Sequence, residues 1–325
     1  MPLALAFDWL SRDSRAREQN LDKDGARSAI LEAMRHPGLL NDIMFKIVFG
    51  TQESVTVLGA LLNAILGLQG PDKIVDLEIL IPSSEKEYLT QKGPILDLRA
   101  RDGKGQQFNV EVQLRAGVDD YKKRTLFYIA KFYCDQLQKG QGYNSLKRTI
   151  SISILDFNLF PNTEELHSKF VMWDCQQEFA LCDDLELHYL ELKKFSPNKP
   201  EQLRTRFEKW LYLLKFADLY DTNELPIILA EEEGMTMAID SMRKAYARDE
   251  VRELIAAQEK AERDEISRLE YARSQGLKEG LEQGLEKGRE EERKRTEQER
   301  AKAARAEAEL ARVKEELEAL RRRQE

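Results

Sequence analysis

A three-layer body of α/β (α+β) class, followed by a long helical C-terminal tail, is what this sequence predicts. FNVEVQL (108–114) alternates strictly between apolar and polar residues, the period of a half-buried strand. Other β-rich runs are separated by amphipathic helical stretches, the order that packs helices against a sheet. From about residue 226 the β-rich runs cease, and helical, increasingly charged sequence continues to residue 325. The expected divisions are a leader over 1–37, a body over 38–225 and a tail over 226–325.

The elements follow in order. The leader contains one short helical stretch, SAILEAM, and no readable chemistry. Asn41 or Asp42 can cap a helix over NDIMFKIVFG, Gly50 interrupts it, and a second helix continues from Ser54 to Leu68. A strand fits IVDLEILI (74–81). PILDLRAR (94–101) and QFNVEVQL (107–114) read as a hairpin joined by DGKG. An amphipathic helix follows, DDYKKRTLFYIAKFYCDQLQKG, with Gly140 and Gly142 to stop it. RTISISILDF (148–157) suits a central strand, KFVMWD and LELHYLEL two more, and EQLRTRFEKWLYLLKFADL (201–219) a helix. In the tail, Gly276, Gly280, Gly284 and Gly288 recur four apart beside Leu277, Leu281 and Leu285. Each glycine costs a helix about 1 kcal/mol relative to alanine, so this segment either packs closely on a partner helix or acts as a loose joint. Ala303, Ala306, Leu310, Val313, Leu317 and Leu320 then step by three and four, a short coiled-coil seam that implies self-association.

Composition bounds the function. Residues 241–325 carry 22 of the 51 Lys and Arg and 22 of the 59 Asp and Glu, so the net charge of −8 belongs to the first 240. An acidic body exerts no long-range pull on nucleic acid, and DNA contact must come from a local basic patch or through a bound cation. Cys134, Cys175 and Cys182 form no CxxC pair, and with no readable secretory leader they suggest reduced thiols and a cytoplasmic protein. His36, His167 and His188 are scattered and read as structural, leaving no zinc pattern. The longest apolar run, VTVLGALLNAILGL (55–68), is too short for a membrane span and reads as a buried helix.

The hairpin has a carboxylate face. A turn centred on Lys104, with Gly103 and Gly105 beside it, sets cross-strand partners whose numbers sum to 208. That register places Asp97 opposite Glu111, Ile95 opposite Gln113 and Arg99 opposite Asn109. Two like charges directly opposed across a sheet are destabilising unless a cation lies between them. An Asp and a Glu on neighbouring strands suit Mg²⁺, which takes hard oxygen ligands, water and phosphate. Arg99, Arg101 and Arg115 share the polar face and could hold phosphates, or could pair with Asp97 and Glu111 in a cross-strand salt-bridge lattice. Both readings stand on spacing alone.

NDIMFKIVFG, GPILDLRARDGKGQQFNVEVQL and RTLFYIAKFYCDQLQKGQGYNSLKRTISISILDF, taken together over about residues 38–160, resemble the Rpn-type recombination-promoting nucleases, which are PD-(D/E)XK nuclease family transposases. The resemblance implies a restriction-endonuclease-like core, a mixed sheet flanked by helices, and cleavage of DNA phosphodiesters dependent on Mg²⁺ (or Mn²⁺). It implies that Asp97 and Glu111 are the acidic metal ligands, that the backbone carbonyl of Val112 is a further ligand, and that Gln113 stands where the wider superfamily has lysine. Asp42 matches an acidic position that completes such sites. Glutamine in place of lysine leaves a neutral amide that can orient water but cannot stabilise developing negative charge with a full positive one.

Basic residues of the following helix, Lys122, Lys123, Arg124 and Lys131, join Arg99 and Arg115 as candidate contacts to the DNA backbone. No helix-turn-helix or zinc-finger pattern is present, so sequence-specific reading is not expected. The function expected is a metal-dependent DNA endonuclease that self-associates through its tail and has no membrane partner. The alternative is a catalytically degenerate DNA-binding or oligomeric scaffold.

Overall fold

The computed structural model describes residues 37–80, 98–115, 120–221 and 223–322. The leader helix over SAILEAM, together with Asp97 and Ile95, lies outside the described residues. Helix α1 (Asp42–Phe49) starts at Asn41, whose side chain accepts from the Met44 N–H at 3.1 Å. Helix α2 (Val55–Leu66) ends at Gly67, whose left-handed backbone suits a residue without a Cβ. Both helices are mostly buried, as their apolar sequence requires.

Strand β1 is confined to Leu77–Ile79, shorter than the expected 74–81. The reason lies in α2: the Asn63 amide donates to the Ile74 carbonyl at 3.0 Å and accepts from its N–H at 2.8 Å, which removes Ile74 from any ladder. Strands β2 (Leu98–Asp102) and β3 (Gln107–Gln113) form the hairpin, with Leu98 opposite Val110, Arg99 opposite Asn109 and Ala100 opposite Phe108. These pairs keep the register sum read from the sequence. Asp102 builds the turn, accepting from the N–H groups of Lys104 at 3.0 Å and Gln106 at 2.8 Å, while Gly105 takes φ of +85°.

Helix α3 (Tyr121–Cys134) ends earlier than Gly140 and Gly142 would allow. Just beyond it, the Gln136 amide donates to Lys147 O and Thr149 Oγ1 at 3.0 and 2.8 Å, tying the chain to the start of the next strand. That strand, β4 (Thr149–Leu155), is buried along its whole length. β5 (His167–Phe170) is followed by a separate small hairpin, β6 (Trp173–Asp174) and β7 (Phe179–Ala180), so KFVMWD divides between two sheets. β8 (Leu185–Glu191) returns to the main sheet. The order there is β1-β2-β3-β4-β8-β5, with β3–β4 and β4–β8 parallel and the other pairs antiparallel. The result is the expected α/β architecture, a mixed six-stranded sheet flanked by helices, with β4 near its centre.

Alternation assigns the two faces. Leu98, Ala100, Phe108, Val110, Ile150, Ile152 and Ile154 enter the main core with α1, α2, α4 (Arg206–Phe216) and α6 (Met235–Tyr246). On the other face, Tyr121 of α3 joins Leu155 and Tyr189 in a smaller cluster. Between α4 and α6 lies α5 (Ile227–Ala230), and the first compact unit runs to Ile255, so helices in the stretch grouped with the tail contribute to the core. Gly234 opens α6 at φ +81°, with Val57 Cα 3.3 Å from where a Cβ would stand, a close approach that a side chain would block. The second unit begins at Ala256 within α7 (Asp249–Arg322), whose glycines are all helical and solvent-facing. Among the described residues no single helix is long and apolar enough to cross a membrane. Cys134 and Cys175 are exposed and Cys182 is partly exposed.

Candidate active site under helix α3

The face of β3 turned away from the main core carries Asn109, Glu111 and Gln113, beside Ser151, Ser153 and Leu155 of β4. Helix α3 covers it. Asp120 caps the helix, accepting from the Lys123 N–H, and Tyr121, Thr125, Ile129 and Phe132 recur at helical spacing as its buried stripe. Two of these four are polar at their tips. Thr125 Oγ1 and Tyr189 Oη share a hydrogen bond of 2.5 Å, and burial raises the pKa of the Tyr189 phenol.

Glu111 lies where the first turn of α3 meets β3. Its Oε2 accepts from Tyr121 Oη at 3.2 Å and its Oε1 from Arg124 Nη2 at 2.9 Å. The same Arg124 nitrogen donates to Gln113 Oε1 at 3.0 Å, and the guanidinium stands 4.7 Å from the Tyr121 ring centre. Gln113 in turn donates to the Arg115 carbonyl at 3.0 Å, which fixes its amide with the oxygen toward Arg124. Burial and then the Glu111 charge push the Tyr121 phenol well above its ordinary pKa, so it remains a proton donor to the carboxylate.

Asn109, Ser151 and Ser153 are buried on this face, an unusual lining for the interface between a sheet and a helix. Asn109 Oδ1 has no hydrogen-bond partner among the described residues. A buried acceptor left in that condition costs about 1–3 kcal/mol, which points to a role that outweighs the loss. The donor set on the face is made of oxygens: the Glu111 carboxylate and the amide oxygens of Asn109 and Gln113. Hard oxygens of this kind fit Mg²⁺ or Mn²⁺ and do not suit a thiophilic metal. No group of three His, Cys, Asp or Glu converges among the described residues, so an ion here would also draw on water or phosphate oxygens.

The remaining sequence candidates are dispersed. Val112 points the other way and packs against the main core. Asp42, the first residue of α1, pairs with Lys46 at 3.3 Å. Arg99 lies 4.6 Å from the Phe132 ring centre, and Arg101 pairs with Glu78 at 2.7 Å. Glu111 takes a guanidinium from α3. Lys122 stands over Phe160 at 4.7 Å, Lys123 pairs with Asp120 at 3.3 Å, and Lys131 is exposed in the last turn of α3. Arg124, grouped by sequence with these outward contacts, instead turns inward. Tyr121 and Asn109 carry parts of the site that the sequence reading did not assign. Position was the available signal: Asn109 shares the face of Glu111, and Tyr121 opens the helix that follows β3.

A family model described as PD-(D/E)XK nuclease family transposase matches residues 39–272. No curated protein and no solved structure matches the chain.

Proposed function

Because this chain belongs to the PD-(D/E)XK nuclease family transposases, with the nuclease or transposase-like role that membership carries, we propose that it is a metal-dependent DNA endonuclease hydrolysing phosphodiester bonds. The observation that carries the proposal is the buried, oxygen-rich face around Glu111, which an ordinary sheet–helix interface would fill with apolar side chains. Asp97 immediately precedes Leu98, the residue paired with Val110, and is proposed as the second acidic ligand. The Val112 carbonyl is proposed as a further ligand, and Asp42, paired with Lys46 on α1, is left out of the set. A divalent cation, Mg²⁺ or Mn²⁺, supplies activation of water and polarisation of the phosphoryl oxygen.

The protein's own groups do the rest. The Tyr121 hydroxyl fixes one oxygen of Glu111 and so orients the carboxylate. The Gln113 amide, held through Arg115, is proposed to position the attacking water. Arg99, Arg115, Lys122, Lys123 and Lys131 are proposed to neutralise DNA phosphates, which accounts for binding by an acidic body without sequence readout. Tail-mediated self-association would bring two such sites onto one duplex.

A degenerate scaffold is the second reading, and the ion pair between Arg124 and Glu111 favours it, because the carboxylate already has a cation. Incubation with supercoiled plasmid separates the two. The endonuclease cleaves in Mg²⁺, stops in EDTA, and slows about a thousandfold as Glu111→Gln, the order of loss for a principal electrostatic group. DNA binding without cleavage in Mg²⁺ and in Mn²⁺ would establish the scaffold.

A further inference from the structure

We propose that Arg124 is the resident counter-cation of this site: it holds Glu111 and Gln113 until a divalent cation displaces it, and its guanidinium then moves to a DNA phosphate. The inference rests on the assignment of Glu111 as a metal ligand. Its observation is a convergence. One nitrogen, Nη2, serves Glu111 Oε1 at 2.9 Å and Gln113 Oε1 at 3.0 Å, so positive charge occupies the point on which both oxygens bear.

Three features make the guanidinium exchangeable rather than structural. The pair is partly open, with the Arg124 side chain 27% and the Glu111 side chain 19% exposed, so breaking it does not strand a charge in a dry interior. The cation also stands 4.7 Å from the Tyr121 ring centre, a weak contact at a partly open site that the guanidinium can give up when it moves. Arginine cannot escape a second positive charge by losing its proton, so an arriving divalent ion must move it. Its new partner should be an anion that accepts a fork of N–H donors, and phosphate is the one that DNA supplies. The exposed side chains of Lys122 and Lys123 on the same turn draw the backbone to that place.

Metal and DNA are then linked through one side chain. Metal frees Arg124 for phosphate, and phosphate holds Arg124 away from the metal ligands, so each ligand raises the affinity for the other by the same factor. Without DNA the site is held closed against metal, which would limit idle water activation. The conflict between an endonuclease and a carboxylate that already has a cation disappears, because the pair is the resting state.

The test titrates Mn²⁺ into the full chain and follows free Mn²⁺ by electron paramagnetic resonance, with and without a duplex whose phosphorothioate backbone resists cleavage. Wild type should bind Mn²⁺ weakly alone and about tenfold more tightly with the duplex, within the ordinary range of site coupling. Arg124→Met should bind Mn²⁺ about tenfold more tightly than wild type without DNA and lose the DNA effect, and Glu111→Gln should not bind it. Arg124→Lys, which keeps the charge and loses the fork, should fall between wild type and Arg124→Met and serves if the methionine variant is unstable. An Arg124→Met protein with wild-type Mn²⁺ affinity and intact DNA coupling, alongside a Glu111→Gln protein that binds no Mn²⁺, overturns the inference and leaves the metal site standing. Unchanged Mn²⁺ binding by Glu111→Gln removes the site assignment and the inference with it.

Discussion

Glu186 and His167 show how strongly single side chains are tuned here. Burial would raise the Glu186 carboxyl, but hydrogen bonds with His188, Lys169 and Arg148 outweigh it and hold the pKa at about 2. His167 meets His188 through a 2.8 Å bond between ring nitrogens, and burial first, then the neighbouring His188 and Lys169, lowers its pKa to about 4. The signs define two windows. The unfolded chain binds a proton at His167 that the folded one refuses, so stability falls as pH drops from about 6.5 to about 4. Stabilisation from Glu186 is complete above about 4.5 and is lost as pH falls towards 2. At about 1.4 kcal/mol per pKa unit, each amounts to at most about 3.5 kcal/mol, less for the partly exposed His167. Urea midpoints measured between pH 7 and pH 3 should decline in both windows, and His167→Asn should flatten only the upper one. The sequence reading took both histidines as structural but could not pair them, because their contact depends on β5 lying beside β8. Glu111 and Gln113 were legible because a strand must alternate. Arg124 and Tyr121 were not, since the turn of a helix that falls over a strand end depends on the intervening loop.

Among the elements, the hairpin was the most legible: alternation chose the faces and two glycines centred the turn, so the register of β2 and β3 followed. β4 was readable for a different reason, isoleucine at every second position in a short run between turns, and it is buried on both faces. β1 was overestimated because a side chain of α2 claims the backbone of Ile74, a tertiary bond that local pattern does not encode. In α7 the side chains of Leu310, Val313 and Leu317 are 57%, 52% and 52% exposed, although they lie on the apolar seam that the sequence marks. A seam of this kind stabilises a helix by packing on another chain. Sedimentation of the full chain should therefore give a mass above the monomer, and Leu310→Glu with Leu317→Glu should reduce it to the monomer. An unchanged mass would show that the seam is not the contact. Among the described residues, Gly276, Gly280, Gly284 and Gly288 have no neighbour within 4 Å of an added Cβ, so no contact there requires glycine.

Across the first compact unit, the sheet divides two environments with opposite chemistry. One side is a large apolar core built with α1, α2, α4 and α6, and the other is a thin layer beneath α3 in which carboxylate, amide, hydroxyl and guanidinium groups meet. The class and order of the elements could be read in advance because each follows from local periodicity. The composition of the layer under α3 could not, because it is assembled from β3, β4, β8 and a helix that sequence pattern does not dock. The proposed cleavage is attributed to Asp97 and Glu111 acting as one unit, and residues that act as a unit lose their effects non-additively. The decisive measurement is the rate of plasmid cleavage in Mg²⁺ by the wild type, Asp97→Ala, Glu111→Ala and the double variant, each verified as folded by circular dichroism. Each single variant should lose about a thousandfold, and the double should fall no further than the weaker single. Undiminished cleavage by either folded single variant would contradict the assignment of the two carboxylates to the site.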